Sequence, residues 1–301
     1  MDKNDIKLSH IIINVDKTTP KDQILAFCTN NKNNDAGIRF TYLCYDNQIR
    51  NNDLDVLVNL LNSVPEKKES LFIITDSAHV ADHAGAIGIA CAALLVNSSG
   101  SSLFPNVLYC IENIEYMSAD RIVKMWERHH GIPWTIAITK RLVIREQTLN
   151  DIDALYKIYS DKEITKYTED LYEDPQKEAD YLQKYIDNQY RFYEYGLWAL
   201  TIRESGELIG RAGISLREGY DIPEIGYVIG KDYRRQGYAK EALTAIMDYA
   251  AEEFEMRKFM AFTKERNKPS KELLKSLGFV RSGNALIKGG DHAVYFLTKQ
   301  R

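Results

Sequence analysis

Residues 224–240 read Glu-Ile-Gly-Tyr-Val-Ile-Gly-Lys-Asp-Tyr-Arg-Arg-Gln-Gly-Tyr-Ala-Lys, and Glu241-Ala242-Leu243 follow. Glu224 to Gly230 reads as a strand, Lys231-Asp232-Tyr233 as a short connection, and Lys240-Glu241-Ala242-Leu243 as the opening of a long helix. Between connection and helix lies the basic turn Arg234-Arg235-Gln236-Gly237-Tyr238-Ala239. A strand delivered through such a turn into a helix makes an anion site. The free N–H groups of the first helical turn point outward, and the helix dipole favours negative charge. Gly237 allows close backbone approach, Ala239 keeps the wall low, and successive amides form a nest. Arg234 and Arg235 add positive charge outside it.

Outward from this turn the pattern is α+β. Strands are expected at Leu197–Ile202, Leu208–Leu216 and Glu224–Ile229, separated by Gly and charged residues. A helix over Ala239–Glu253, a strand at Lys258–Thr263, a helix over Ser270–Leu277 and two further strands complete the C-terminal part. Before them come the short alternating runs TIAIT and RLVIRE and two helices, at Ile152–Tyr159 and roughly Asp174–Tyr193. This predicts a domain over residues 134–301 built on an antiparallel meander. The upstream residues behave differently. Buried-looking strands at Ile11–Val15, Ile38–Tyr45, Leu71–Ile74, Ile89–Val96 and Asn106–Ile111 alternate with helical stretches, the last at Ala119–His129. Such alternation means βαβ units and a mostly parallel, Rossmann-like sheet over residues 1–133. Gly131-Ile132-Pro133 stops the last of those helices. A chain of 301 residues accommodates two such domains, an α/β domain followed by an α+β one.

Composition narrows the partners. Hydrophobic residues are 45% and charged residues 27%, too apolar for a disordered chain, and 17 Gly, 7 Pro and 4 Cys exclude collagen-like and disulfide-scaffold classes. The formal net charge of -4 leaves no basic excess to neutralise a phosphate backbone, so no nucleic-acid partner is expected. Cys28, Cys44, Cys91 and Cys110 include no C-x-x-C pair and read as reduced, mostly buried thiols; with no secretory leader expected, they point to the cytoplasm. The longest apolar run, Ala84–Val96, is too short to cross a bilayer, so no membrane partner is expected. Asn97-Ser98-Ser99 is a formal glycosylation sequon without meaning in a cytoplasmic protein.

Arg234, Gly237 and Ala239 match the pyrophosphate motif Arg/Gln-x-x-Gly-x-Gly/Ala of the GNAT superfamily of N-acetyltransferases. The match falls between a strand and a helix. It is followed at the family's distance by Asn267-Lys268-Pro269-Ser270 and by Leu277-Gly278-Phe279, and it is preceded by Leu208-Ile209-Gly210-Arg211-Ala212-Gly213. The resemblance covers about Arg141 to Lys299 and is strongest to the enzymes that acetylate ribosomal-protein amino termini. It implies a GNAT acyl-CoA N-acyltransferase fold, acetyl-CoA as acetyl donor, and no metal. It implies cofactor contacts from Tyr227, Val228, Ile229, Arg234, Arg235, Gln236, Gly237, Tyr238, Ala239, Lys240 and Asn267. In the family the strand carrying Tyr227–Ile229 splays from its neighbour. The pantetheine arm fills the gap, and a backbone N–H there holds the thioester oxygen. The acceptor would be an amine: a protein N-terminus, a polyamine, an amino sugar or another small amine.

Acetyl transfer to an amine needs a base, because an ammonium has no lone pair, and a proton for the departing thiolate. Glu224, at the start of the strand beside the cofactor, matches a carboxylate carried by many members; the plain alternative is a solvated strand-end residue after Ile222-Pro223. Many members carry a Tyr four residues before the Gly of the Gly-Phe pair. Here that position is Leu274, a departure that removes the usual acid. Ser270 matches the substitute proposed in the ribosomal-protein branch, and is equally an ordinary helix-start residue; Asn267 could bond the pantetheine or cap the same helix. The stretches Tyr167–Asp174 and Tyr190–Tyr195 are rich in acidic and aromatic groups that could attract a cationic amine.

Leu71 to Leu95 resembles the last motif of haloacid-dehalogenase-like (HAD) phosphatases, in which two carboxylates at a strand end hold Mg²⁺. Asp76 matches the first carboxylate, but Val80 stands at the second position, and Asp16-Lys17-Thr18 supplies one Asp of the expected Asp-x-Asp. The resemblance therefore implies a HAD-like domain without phosphatase activity. His79 and His83 share a helix face and give a rival zinc reading, with no third ligand at clear spacing. The function expected is acetyl-CoA-dependent N-acetyl transfer. The alternatives are a non-catalytic acetyl-CoA sensor or scaffold, or a residual phosphatase in the first domain.

Overall fold

Ile11-Ile12-Ile13-Asn14-Val15 lies within β1 (His10–Asp16), every residue of which is buried. The computed structural model describes residues 6–32, 36–95, 104–287 and 290–299. The sequon Asn97-Ser98-Ser99 and Val96 lie outside them. The chain splits into two compact units, Met1–Ile132 and Pro133–Arg301.

In the first unit β1 pairs in parallel with β2 (Arg39–Tyr45) on one side and β3 (Leu71–Thr75) on the other. β4 (Ala90–Leu94) and β5 (Tyr109–Ile111) extend the sheet, giving the order β2-β1-β3-β4-β5. Successive residues of a strand face opposite sides. Ile11, Ile13 and Val15 enter one core with Phe27 and Trp126, while Ile12 enters a second with Leu57 and Val80. Burial on both faces explains the uninterrupted apolar run. The helices are α1 (Lys21–Asn30), α2 (Asn52–Leu61), α3 (Ala78–Ala86) and α4 (Ala119–His129). In this doubly wound order the chain reverses direction between β1 and β3, and ligands of such sheets sit beyond the strand ends at that point.

The second unit has one eight-stranded sheet in the order β12-β13-β11-β10-β9-β8-β7-β6. Its strands are β6 (Thr135–Ile138), β7 (Leu142–Arg145), β8 (Leu197–Ile202), β9 (Leu208–Ser215), β10 (Glu224–Ile229), β11 (Lys258–Lys264), β12 (Val280–Ile287) and β13 (Gly290–Thr298). All neighbours are antiparallel except β10 and β11. One face packs under α8 (Tyr238–Glu253), whose Leu243, Ile246, Met247 and Ala250 enter a core with Trp198 and Phe259. α9 (Lys268–Ser276) adds Leu274 to that core. A smaller cluster joins Val228 to Leu155 and Tyr159 of α5 (Ile152–Tyr159) and to Ile164 of α6 (Lys162–Thr165).

Two expected elements differ: the strand expected over Asn106–Ile111 is reduced to Tyr109–Ile111, and a helix changes type. The helix expected over Asp174–Tyr193 is α-helical only as α7 (Pro175–Tyr185) and continues as a π-helix over Ile186–Tyr193. The wider turn brings the Tyr190 hydroxyl onto the Leu197 carbonyl, a tertiary bond invisible to periodicity. No described helix is long and apolar enough to cross a membrane.

Candidate active site

β10 and β11 pair at one position only, Glu224 with Met260, fixed by the Met260 amide donating to the Pro223 carbonyl at 2.9 Å. Along its other edge β10 pairs with β9 at all six residues. Beyond Glu224 the two parallel strands diverge and leave a notch. It opens along the backbone edge of Tyr227, Val228 and Ile229, with the turn before α8 next in the chain.

That turn is built from left-handed residues two apart, Arg235 (φ 59°) and Gly237 (φ 84°). Gly237 is the N-cap of α8, and no side chain caps the helix there. The amides of Tyr238, Ala239 and Lys240 thus open the helix as uncapped donors, and the dipole's positive end is exposed. Glu241 lies in this first turn but points elsewhere. It accepts from the Thr139 hydroxyl (2.7 Å), the Arg141 amide (2.9 Å) and Arg141 Nε (2.7 Å). Burial works to raise its pKa, but these bonds hold it below the ordinary value. Arg141 also donates to the Gln236 carbonyl at 2.9 Å and stacks 4.1 Å from the centroid of the Tyr238 ring. It clamps the turn from the β6–β7 hairpin. Sequence reasoning missed Arg141; its only signal was a basic residue in a hairpin turn.

The basic residues of the turn divide. Arg235 is exposed beside the helix start. Arg234 is drawn inward, donating from Nε to the Ile229 carbonyl (3.1 Å) and pairing with Asp161 (2.8 Å). Gln236 donates to the Asp232 carbonyl at 2.7 Å. Both therefore brace the turn in this geometry.

Glu224 is largely buried, with a side-chain exposure of 14%. Nε and Nη2 of Arg217 both lie 2.7 Å from one of its carboxylate oxygens. Burial raises its pKa, and Arg217 and His292 pull the other way; the net direction is upward from 4.5. A carboxylate buried beside the notch with a raised pKa has the character of a general base. Leu274, at the position where a Tyr was looked for, is 2% exposed and packed in the core. The Ser270 amide donates to Asn267 Oδ1 at 3.2 Å, so Asn267 caps α9. Burial raises the pKa of the Tyr227 phenol, and the Ser270 side chain beside it pulls the other way. The phenol of Tyr227 thus reaches the same helix one turn before Leu274. Sequence reasoning used only the backbone of Tyr227, because which face its ring takes depends on strand register.

On the α5 and α7 face lies a cavity of about 250 Å³, lined by Gln147, Tyr159, Glu178, Tyr181, Arg211 and Tyr227 among others. Of the two acidic-aromatic stretches, Thr168 and Glu169 reach its wall, while Tyr190 is fully buried.

In the first unit Asp76 accepts from the Asp16 amide (3.1 Å), the Thr19 hydroxyl (2.7 Å) and the Tyr45 hydroxyl (2.8 Å). Asp16 accepts from the Thr18 and Asn47 amides at 2.8 and 3.0 Å. Burial would raise the Asp16 pKa, but bonds from Thr18 and Asn47, with Lys17 nearby, lower it. Val80 is fully buried in a core. His79 lies 3.6 Å from Asp53 and is 53% exposed. Among the described residues no group of three or more His, Cys, Asp or Glu is arranged to hold a metal ion. The four cysteines are free, but they are not mostly buried as expected: Cys44 and Cys110 are exposed and Cys28 and Cys91 half-buried, because the edge strands β2 and β5 turn Cys44 and Cys110 outward.

A family model described as an acetyltransferase (GNAT) domain matches residues 141–280. A Bacillus subtilis protein, the uncharacterized N-acetyltransferase YnaD, is 32% identical over 146 residues, 48% of this chain and 82% of that protein. The Escherichia coli [ribosomal protein uS5]-alanine N-acetyltransferase is 36% identical over 100 residues, 31% of this chain and 52% of that protein. Among solved structures, an acetyltransferase (GNAT family) from Bacillus anthracis aligns with a TM-score of 0.46 at 22% identity, covering 54% of this chain and 96% of that one.

Proposed function

The chain belongs to the GNAT acetyltransferase family, and we propose that its second unit transfers the acetyl group of acetyl-CoA directly to a primary amine. The observation that carries this reading is the notch. Two parallel strands pair at one position and diverge toward an uncapped helix N-terminus entered through Gly237. Such a helix start suits a pyrophosphate, and the free strand edge suits the amides of a pantetheine arm. In this reading the amides of Gly237 to Lys240 hold the pyrophosphate, and the positive charge of Arg235 faces it. A backbone N–H within Tyr227–Ile229 takes the thioester oxygen.

Glu224 removes a proton from the acceptor ammonium, directly or through water. The nitrogen lone pair bonds to the thioester carbon as the carbonyl π pair moves onto the oxygen; the attached nitrogen gives its extra proton to solvent, and collapse of the oxyanion breaks the C–S bond. The thiolate takes a proton from Ser270 or the neighbouring Tyr227 phenol, which is reprotonated from solvent and stands in for the Tyr replaced by Leu274. The acceptor is a protein N-terminus or a small amine. The first unit is HAD-like and serves support or binding rather than phosphate release, since hydrogen bonds within the fold occupy Asp16 and Asp76. Four free cysteines suit a reducing, cytoplasmic setting. Burial of Leu274 favours one other reading, an acetyl-CoA sensor that binds without transfer.

Thermal unfolding of the full chain with acetyl-CoA tests the reading. At about 100 times the dissociation constant the ligand adds about 2.7 kcal/mol, raising the transition of the second unit by about 5–10 °C. No shift at millimolar acetyl-CoA overturns it. A shift without CoA release from any amine selects the sensor.

A further inference from the structure

Resting on the acyl-transfer reading above, we propose that the acceptor amine carries a carboxylate. The substrate is then a free amino acid or similar zwitterion rather than a polyamine, an amino sugar or a polypeptide N-terminus, and Arg211 is the residue that holds its anionic end.

The cavity beside β10 contains the argument. In the β9–β10 register Arg211 stands opposite Val228, Gly213 opposite Gly226, and Ser215 opposite Glu224. Alternate residues share a face, so Arg211, Val228, Gly226 and Glu224 lie on one side of the sheet. Gly226 leaves the floor bare there. A Cβ added to it would meet only the Leu197 side chain, 3.9 Å away, and both residues line the cavity. A small molecule on that floor therefore lies against the backbone of Gly226 to Val228, beside the notch. Arg211 bounds it on one side, and the base sits two residues away along β10.

Arg211 has unspent donors. Its Nε donates to the Tyr159 hydroxyl at 2.9 Å, and its guanidinium carbon lies 4.9 Å from the Tyr159 ring centroid. It forms no ion pair with a carboxylate among the described residues. The terminal nitrogens of a half-buried guanidinium at a cavity wall present the planar fork that a carboxylate fits.

A second group at the wall asks for the opposite partner. Gln147 is 3% exposed, and its amide nitrogen donates to the Leu197 carbonyl at 2.7 Å. Its carbonyl oxygen is buried and receives no hydrogen bond. A buried acceptor without a donor is costly, and an amine N–H arriving in the cavity would satisfy it. The carboxylates of Glu169 and Glu178 line the same space. One guanidinium and a set of acceptors around a single small cavity complement a molecule with both charges. A second cationic centre, as in a polyamine, would face Arg211. A peptide bond would offer it only a neutral carbonyl, and an amino sugar no anion.

The test uses the full chain saturated with CoA. Calorimetry measures binding of the twenty common amino acids, each beside its carboxamide, together with spermidine, glucosamine and an alanine-terminated hexapeptide. CoA release from acetyl-CoA is then followed with the same panel. The expected result is that at least one amino acid binds and is acetylated with kcat/KM at least tenfold above its carboxamide. Arg211→Gln should erase that ratio by lowering the acid's kcat/KM alone, and Arg211→Lys should restore part of it. Carboxamide, spermidine, glucosamine or hexapeptide turned over as well as any amino acid overturns the proposal. So does a panel in which no amino acid binds, or an Arg211→Gln effect equal on acid and amide. The wild-type comparison decides even if the variants fold poorly. Amino-acid binding without CoA release keeps the carboxylate site and refutes the transferase reading; turnover of the hexapeptide alone does the reverse.

Discussion

Glu224→Gln is the perturbation that most directly interrogates the chemistry. The replacement keeps the size of the side chain and removes its charge and basicity. Arg217 donates to one oxygen of the carboxylate, and a Gln side-chain carbonyl can accept from the same fork. The folding cost is therefore limited to the loss of one charge-assisted, part-exposed pair, about 1 kcal/mol. Catalysis should suffer far more. A positioned general base contributes about 10²–10⁴-fold, or about 2.7–5.5 kcal/mol at 1.36 kcal/mol per tenfold. The assay is CoA thiol release under saturating acceptor, with acetyl-CoA affinity measured separately by calorimetry. The expectation is a kcat lower by at least a hundredfold with affinity within threefold. The pH profile sharpens it. Burial raises the Glu224 pKa above 4.5 and the base works ionised, so wild-type kcat/KM must climb with pH through that raised value to a plateau. The stability effect has the opposite sense: it is full below pH 4.5 and is lost as pH rises through the folded pKa. Arg217→Gln removes the cation that opposes burial, so the activity limb should move to higher pH. A Glu224→Gln enzyme that keeps both the rate and the limb would refute the base assignment. An Arg217→Gln limb that moves to lower pH would refute the electrostatic account of it.

Three further outcomes follow from the geometry. Gly237→Val forces a β-branched residue into φ 84°, at a cost of about 1–2 kcal/mol, and crowds the helix start; acetyl-CoA affinity measured by calorimetry should fall at least tenfold, and unchanged affinity would detach this turn from the pyrophosphate. Tyr227→Phe removes the phenol that meets Ser270, so kcat should drop about 10–100-fold at constant acetyl-CoA KM; a drop from Ser270→Ala without one from Tyr227→Phe would assign the proton to the serine alone. Asp76→Ala strands the Thr19 and Tyr45 hydroxyls and the Asp16 amide, costing the first unit about 2–4 kcal/mol in urea unfolding while acetyl transfer continues; equal loss of activity would tie the two units functionally.

The strand, turn and helix around Gly237 were legible because their signals are local. A strand, a basic Gly-containing turn and a helix start occupy sixteen consecutive residues, 224–239; Gly237, read in the sequence as permitting close backbone approach, also takes a left-handed conformation. The one-residue pairing of β10 with β11 was not legible from spacing alone, since divergence is a property of two strands whose paired residues, Glu224 and Met260, lie 36 positions apart. It came only with the family resemblance. What lies across the sheet was not legible at all. Arg141, 95 residues before Gln236, clamps the turn through a hairpin whose own pattern says nothing of its target. Arg211 and Gln147 meet at one cavity although 64 residues separate them. The π-helical turn after Tyr185 also escaped, because Ile186–Tyr193 keeps a helical composition while its backbone yields to the bond from Tyr190 to the Leu197 carbonyl.

In the first unit two strand-end carboxylates serve structure. Asp76 ends the strand beside β1, where a doubly wound sheet binds its ligand. A carboxylate that ligates a cation must turn its lone pairs outward. Asp76 instead spends them on the Asp16 amide and on two hydroxyls, from the β1–α1 turn and from the end of β2. Asp16 does the same with Thr18 and Asn47. Three strand ends are thereby sewn together by two carboxylates. Val80 is packed in the core, and a cation at Asp76 or Asp16 would compete with the bonds that hold the sheet end closed. These carboxylates serve the hydrogen bonds they accept, and the proposed acetyl transfer rests on the notch of the second unit.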